Sequence, residues 1–401
     1  MPFTVGENFF DLFIMANSPG EISGWAGPLV RELRLKPGKF RITIIIPPCQ
    51  YSSGAELDLG LRVGADRCIN FRDLKNITSG DKKLLMHLGG DVAYSVYASK
   101  KLKCSLWVYA SKPRWKYFVD RYFVSDEKYR ERFEIKKIPP KKFTVIGNMA
   151  LDSVVLSETE AETREFLNIG PDEPVLTCLT GSRPLEYTNG SLLFLSVARM
   201  ITERFPEMKA VFPLAPTVNE DLLENALREA GIDWTGESRI REINLGGGRT
   251  AAIVRDRTLE VLNCSRLALA LPGTNNLQAA ALYIPYIMAL PLDRSDEFPL
   301  SGLPGLLPLS LPGVRRFKRW YIERLNERTA CISLPNMMAG RMIAPEIRGV
   351  FNAGVLARMA IGLLESPERL KEISRAFWEL THERGASARL ATEIEEFSKI
   401  N

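Results

Sequence analysis

Residues 11–46 read DLFIMANSPGEISGWAGPLVRELRLKPGKFRITIII, and this stretch decides the architecture. Asp11 to Asn17 is a short apolar run that reads as a strand, Ser18 to Gly27 is a Gly/Ser/Pro turn, and Pro28 to Leu35 has helical spacing. Phe40 to Ile46 is too uniformly apolar to face water on either side, so it belongs inside a parallel sheet covered by helices. Strand, loop, helix, strand is the rhythm of a doubly wound α/β domain. Further strands are expected at Lys83 to Leu88, Ser105 to Tyr109, Arg121 to Ser125 and Phe143 to Ile146.

A polar helical stretch, Glu158 to Leu167, separates this half from a second one. There the rhythm restarts with strand Val175 to Thr180, a loop over Gly181 to Gly190, helix Leu192 to Arg204, strand Lys209 to Pro213 and helix Glu220 to Ala230. Strand Ala251 to Val254, helix Thr258 to Cys264, strand Leu267 to Leu271, helix Asn276 to Leu282 and strand Tyr286 to Leu290 follow. The tail from Val355 to Ile400 reads as two or three amphipathic helices. Residues 1–165 are therefore assigned to one domain, 166–365 to a second and 366–401 to C-terminal helices. Two such domains in tandem suggest a ligand held at the open crevices of their sheets.

Composition narrows the function. The 401 residues are 45% hydrophobic and 25% charged, with 54 Gly plus Pro, which excludes a disordered, collagenous or coiled-coil chain. A formal charge of +5 suits an anionic small molecule or lipid surface and falls short of a nucleic-acid footprint, so no nucleic-acid partner is expected. Six scattered cysteines without a C-x-x-C pair read as reduced thiols of a cytoplasmic protein. His87 and His382 are the only histidines, so a His-rich metal site cannot be built, and no metal or cofactor is expected. The N-terminus lacks the basic region of a signal peptide, and no uncharged apolar run reaches the ~20 residues of a membrane span, so membrane contact would be peripheral. One segment fits such contact: apolar, Pro/Gly-rich Phe298 to Leu311 followed by basic, aromatic Arg315 to Arg328, read either as a buried loop before a solvated helix or as an interfacial patch.

In parallel sheets ligands sit beyond the carboxyl ends of strands, which directs attention to five loops. The first, Pro19 to Gly27, contains Glu21 and Ser23 among glycines that admit close backbone approach. The second, Leu88-Gly89-Gly90-Asp91, offers Asp91 either as a general base toward a hydroxyl or as the cap of the helix that follows. The third, Thr180 to Glu186, presents Gly181 and Ser182, an Arg183 able to fork onto a diphosphate and a Glu186 able to hold that arginine, or else a structural ion pair. The fourth, Leu271 to Gln278, brings Gly273, Thr274 and Asn275 to a helix start suited to phosphate, with Gln278 one turn in to reach ribose; ordinary capping by Thr274 or Asn275 is compatible with this. The fifth runs from Leu334 to Glu346 and places Asn336 and Glu346 at either end of an apolar helical stretch.

In order and spacing these segments resemble the lipid-A-disaccharide synthase family of glycosyltransferases. The match comprises Gly20-Glu21-x-Ser23-Gly24, Val145-Ile146-Gly147-Asn148 with Asp152, and Gly181-Ser182-Arg183-x-x-Glu186. Gly273-Thr274-x-x-Leu277, Pro335-Asn336 with Arg341, Pro345-Glu346, and a tail of Gly385 to Arg389 complete it. The resemblance implies a GT-B fold, two Rossmann-like doubly wound domains facing a central cleft, with the C-terminal helices packing back toward the first. It implies a UDP-sugar donor on the second domain, bound by Gly181, Ser182, Arg183, Glu186, Gly273, Thr274, Asn275, Gln278, Asn336 and Glu346. It further implies a lipid-linked acceptor on the first domain, with Asp91, Glu21 and Ser23 as catalytic residues, and compatibility with a homodimer. The reaction implied inverts the anomeric centre without a metal ion, in keeping with the lack of any Asp-x-Asp in the sequence.

Several family positions differ. Trp25 stands where the family has Asp, only the second Asp of its D-x-P-D-F-N segment is matched, by Asp91, and Gln278 replaces its ribose-binding Glu. Most differences fall on the acceptor side, which points to a synthase-related enzyme with a different acceptor, acting at the inner face of the cytoplasmic membrane. Two other readings keep the fold: a UDP-sugar 2-epimerase, which would lean on acidic and His groups scarce here, and an inactive nucleotide-sugar-binding protein.

Overall fold

The computed structural model describes residues 9–48, 56–181, 184–214, 233–235, 240–293 and 313–400, together with positions 225 and 228; the side chains of 184–189 and 234 are outside this set. Its contacts divide the chain into two units, Met1–Ser153 with Glu383–Asn401, and Val154–His382.

The first unit contains a seven-stranded, wholly parallel sheet. Its strands are β1 (Phe10–Met15), β2 (Phe40–Ile46), β3 (Arg67–Asn70), β4 (Lys83–His87), β5 (Ser105–Tyr109), β6 (Arg121–Val124) and β7 (Phe143–Val145), ordered β3-β2-β1-β4-β5-β6-β7. β1 is buried along its whole length, and β2 at all but one position, as their unbroken apolar sequence requires. The direction of winding reverses between β1 and β4, which are neighbours. The chain leaves the carboxyl ends of both strands there, and this is the crevice where such sheets take ligands.

The second unit repeats that winding in its parallel strands and adds an antiparallel edge. Its strands are β8 (Val175–Leu179), β9 (Lys209–Leu214), β10 (Trp234–Thr235), β11 (Ile240–Gly246), β12 (Arg249–Arg255), β13 (Ser265–Ala270), β14 (Tyr286–Pro291) and β15 (Glu346–Gly349). They lie as β10-β11-β12-β9-β8-β13-β14-β15, with an antiparallel β10-β11-β12 edge on an otherwise parallel sheet. The reversal falls between β8 and β13.

Three sequence expectations change on the structure. Ser18 to Gly27 is helical rather than an open turn: Pro19–Glu21 is one helical turn and Ile22–Ala26 a π-helical one, because Ser18 and Glu21 form a reciprocal capping box. The Pro184–Arg204 helix begins inside the loop expected over Gly181 to Gly190. The Glu160–Phe166 helix, assigned to the close of the first domain, contacts the Thr258–Asn263 helix of the second unit.

The tail forms three helices, Ala353–Leu364, Pro367–Thr381 and Ala386–Ile400. Of these only the last belongs to the first unit, where Phe397 stacks edge-on against Phe10 and Trp107 at 6.1 and 5.0 Å. Its start is fixed by Asp152, whose carboxylate accepts the Gly385 and Ser387 N–H groups at 2.7 and 2.6 Å. Arg389 donates from Nε to the Ile146 carbonyl at 2.7 Å. The Val145-to-Asp152 and Gly385-to-Arg389 motifs are thus two sides of one anchor, although 233 residues separate Asp152 from Gly385.

Candidate functional site

At the β1/β4 reversal two loops are joined by one carboxylate. Glu21 accepts the N–H groups of Asn17 at 2.8 Å and Ser18 at 3.2 Å, and the Gly90 N–H as well. Burial raises its pKa, and these three backbone donors pull it back. Gly89 lies directly against it, so near that a Cβ there would sit 2.0 Å from Glu21 Oε2. Glu21 therefore links the β1 loop to the Gly89-Gly90-Asp91 turn after β4.

Asp91 is exposed and caps the Val92–Leu102 helix, its Oδ1 accepting the Ala93 N–H at 2.9 Å. The capping alternative is thus realised, and the second carboxylate oxygen, Oδ2, remains for other chemistry. Ser23 is exposed and donates to the Pro19 carbonyl at 2.6 Å, which ties its hydroxyl into its own helical turn.

Two neighbours were given no role in the site by the sequence reading. His87, at the end of β4, is buried with Nδ1 2.8 Å from Ser95 Oγ; burial lowers its pKa to about 4, so it is neutral near pH 7. Tyr109, ending β5, donates to the Gly147 carbonyl at 3.1 Å, receives the Met149 N–H at 3.3 Å and meets the Trp25 ring edge-on at 6.0 Å. Trp25 thereby replaces a family carboxylate with an aromatic contact that a sequence pattern cannot foresee.

At the β8/β13 reversal the Leu271 N–H donates to the Leu179 carbonyl at 3.2 Å, which ties the ends of the two strands together. Gly181 takes φ of 94°, a conformation that favours glycine. Ser182 and Arg183 lie outside the described residues, as does the side chain of Glu186. After β13, Gly273 is extended and exposed, and the Thr274–Ala281 helix begins after it. The helix is capped by Asn276 rather than Thr274 or Asn275: its Oδ1 accepts the Gly273 N–H at 3.3 Å and its Nδ2 donates to the Leu271 carbonyl at 3.2 Å. Thr274 is exposed and Asn275 half-buried, so neither side chain is consumed by that cap. Gln278, one turn on, has its Oε1 buried with no partner among the described residues.

Asn336 and Glu346, expected at the donor, are spent on the fold. Asn336 is fully buried, donates to the Ala344 carbonyl and Glu346 Oε1, each at 2.8 Å, and accepts the Ile343 and Ala344 N–H groups at 2.8 and 3.0 Å. That saturates its amide. The Glu346 side chain is 0% exposed and accepts the Ile332 and Ser333 N–H groups as well. The pair bolts the Leu334–Ala339 helix to β15.

No group of three or more His, Cys, Asp or Glu positioned to hold a metal occurs among the described residues, and none of their helices is long and apolar enough to cross a membrane. Phe298 to Leu311 lies outside them; Arg315 to Arg328 falls on the Val314–Arg328 helix.

Solved structures resemble this fold over nearly the whole chain. A UDP-GlcNAc 2-epimerase from Methanocaldococcus jannaschii, in complex with UDP-GlcNAc and UDP, superposes with TM-score 0.58 at 13% identity, covering 97% of this chain and 100% of that one. A glycosyltransferase from Rickettsia africae ESF-5 gives 0.51 at 12% identity, covering 98% and 100%. The fold is that of the GT-B class. In sequence, residues 136–294 match the family model described as lipid-A-disaccharide synthetase. A lipid-A-disaccharide synthase from Syntrophus aciditrophicus (strain SB) is 26% identical over 238 residues, 59% of this chain and 51% of that protein. Another, from Serratia proteamaculans (strain 568), is 26% identical over 278 residues, 68% and 61%. The matched part of the chain spans about half the length of these curated relatives. Over 136–294 the chain is similar to lipid-A-disaccharide synthases, and this region contains both strand ends of the β8/β13 reversal.

Proposed function

We propose that this protein is an inverting, metal-independent glycosyltransferase that moves a sugar from a UDP-sugar to a lipid or glycolipid acceptor. The observation that carries the reading is the match over 136–294, because it centres on the β8/β13 reversal, where a doubly wound sheet takes its ligand. In this reading Gly181, Ser182 and Arg183 meet the diphosphate, the Thr274–Ala281 helix start adds N–H donors, and Gln278 turns its amide to the ribose. The donor set rests on Arg183, Thr274, Asn275 and Gln278; Asn336 and Glu346 support it from behind through the Leu334–Ala339 helix, which packs on the Thr274–Ala281 helix.

On the acceptor side Asp91 acts as general base: its free oxygen takes the proton of an acceptor hydroxyl as that oxygen attacks C1, and the C1–oxygen bond to UDP breaks with inversion. The departing diphosphate gains charge and is met by Arg183 and the helix-start amides. Glu21 holds the turn that carries Asp91. The substitution Asp91→Asn separates this role from capping, since Asn caps a helix as well as Asp does. Turnover should fall on the order of 100-fold or more, the usual contribution of general base catalysis, with the thermal midpoint and UDP affinity unchanged. Full activity of the variant would remove Asp91 from the mechanism. Titration calorimetry with UDP, followed by a panel of UDP-sugars, tests the donor class; absence of binding by every uridine nucleotide would sink the reading.

A further inference from the structure

Charge is spread unevenly along the chain. Residues 100–142 hold fourteen Lys and Arg against five Asp and Glu, a net +9, while the whole protein carries +5, so the other 358 residues together carry −4. The fold gathers these cations at one end of the first sheet, where β5, β6 and β7 are the last three strands. They lie on the final turn of the Val92–Leu102 helix, on the β5–β6 connection and on the β6–β7 connection with its Arg130–Ile135 helix.

These pieces touch. Lys116 Nζ donates to the Lys136 carbonyl at 3.0 Å, Lys142 Nζ donates to the Val119 carbonyl at 3.2 Å, and Lys100 Nζ lies 4.1 Å from the centre of the Phe118 ring. Lys101, Lys103, Lys112, Arg114, Lys136 and Lys137 are all exposed. Apolar groups project among them: Tyr117 is 85% exposed, Ile135 68% and Trp115 46%. Trp115 also takes φ of 56°, a left-handed backbone that a bulky residue adopts only where its surroundings impose it.

Cations alone would suit any polyanion. Exposed Ile135 has no use on a nucleic acid, whereas a lipid surface accommodates both kinds of group, headgroups meeting the amines and apolar side chains entering the boundary with the acyl chains. We propose that this end of the first unit docks on an anionic bilayer, which deepens the lipid-acceptor reading and rests on it. The basic helix Val314–Arg328 is the weaker surface: it nets +4, turns Val314, Lys318 and Ile322 inward and pairs Arg324 with Glu327.

The test is co-sedimentation of the full chain with phosphatidylglycerol vesicles and with neutral phosphatidylcholine vesicles, alongside UDP calorimetry. The protein should sediment with the anionic vesicles alone, and release as ionic strength rises. The variant K112Q/R114Q/K116Q/K136Q/K137Q should lose about 100-fold or more in vesicle affinity, at roughly fivefold per cation, while keeping its UDP affinity. The variant W115A/Y117A/I135S, with every charge intact, should lose on the order of tenfold. The variant R316Q/R324Q/R328Q should bind vesicles as the unaltered protein does. Equal sedimentation of the first variant, or no sedimentation of the parent protein, overturns the proposal. So does displacement from vesicles by a single-stranded oligonucleotide together with an unchanged aromatic variant. Failure to bind UDP with vesicle binding intact would instead strike the transferase reading and leave the surface standing.

Discussion

In the first unit the loops that leave the sheet at its reversal point are joined by an acid, the buried Glu21 carboxylate. In the second unit the described groups at the corresponding place are glycine, hydroxyl and amide, with no carboxylate among them. The order of the parallel strands around the reversal is the same in both, β2-β1-β4-β5 and β9-β8-β13-β14. The difference is one of loop chemistry: a fixed carboxylate-bearing turn that presents Asp91, against a set of neutral groups around Gly273. In the proposed transferase the first would serve as the proton-accepting edge and the second as the phosphate-accepting one.

The comparison can be broken or sharpened. The largest effect is expected where the second unit has spent its polar groups on structure. Asn336→Ala leaves the Glu346 carboxylate short of a donor and two N–H groups unpaired, and should destabilise that unit by about 3 to 5 kcal/mol in urea unfolding. A loss below about 1 kcal/mol would mean that Asn336 is available to a ligand after all.

The first unit should respond to pH. His87 has its folded pKa lowered from 6.5 to about 4, so the unfolded chain takes up the proton first as pH falls. Its contribution is complete above pH 6.5 and is lost on acidification toward pH 4, about 3 kcal/mol in all. Glu21, raised rather than lowered, works in the opposite sense, gaining stability as acid protonates it. The pH dependence of the urea midpoint should therefore flatten in His87→Gln, and identical slopes in the two proteins would refute the assignment.

Two ligand-side variants sharpen the second unit. Arg183→Ala should weaken UDP binding by ~1.5 to 3 kcal/mol, as loss of a charged hydrogen bond does, and unchanged affinity would end its assigned role. The smallest stability change belongs to Gln278→Met, because the Oε1 it removes is already buried without a partner among the described residues. Stability should move by less than about 1 kcal/mol while UDP affinity falls; a stability loss several times larger would show Gln278 to be structural.

Much of the scaffold was legible because apolar runs in a parallel sheet are unbroken: Phe40 to Ile46 and Ser105 to Tyr109 form strands over those same residues. β3, β11 and β15 were missed because RCIN, IREINLG and EIRG mix polar or charged residues into half-exposed strands, two at sheet edges and β11 in the antiparallel flank, and carry no continuous apolar signal. In the site, Asp91 and Glu21 could be singled out as loop carboxylates, but their partners could not. Glu21 is fixed by backbone N–H groups and Asn336 by its complement Glu346, and such pairings are made by the fold rather than by spacing. Tyr109 and His87 were given no part in the site because each ends an apolar strand and reads as core.

The return of the Ala386–Ile400 helix to the first unit has a consequence for biosynthesis. A nascent chain completes all seven strands of the first sheet well before the ribosome reaches Phe397, whose ring covers Phe10 and Trp107. Until then those aromatic faces stay open to solvent, and the anchor at Asp152 has nothing to hold. Translation order therefore favours maturation of the intervening unit first, with the N-terminal one finished last by its own distant tail, and a chaperone would find its binding surface on that open aromatic face.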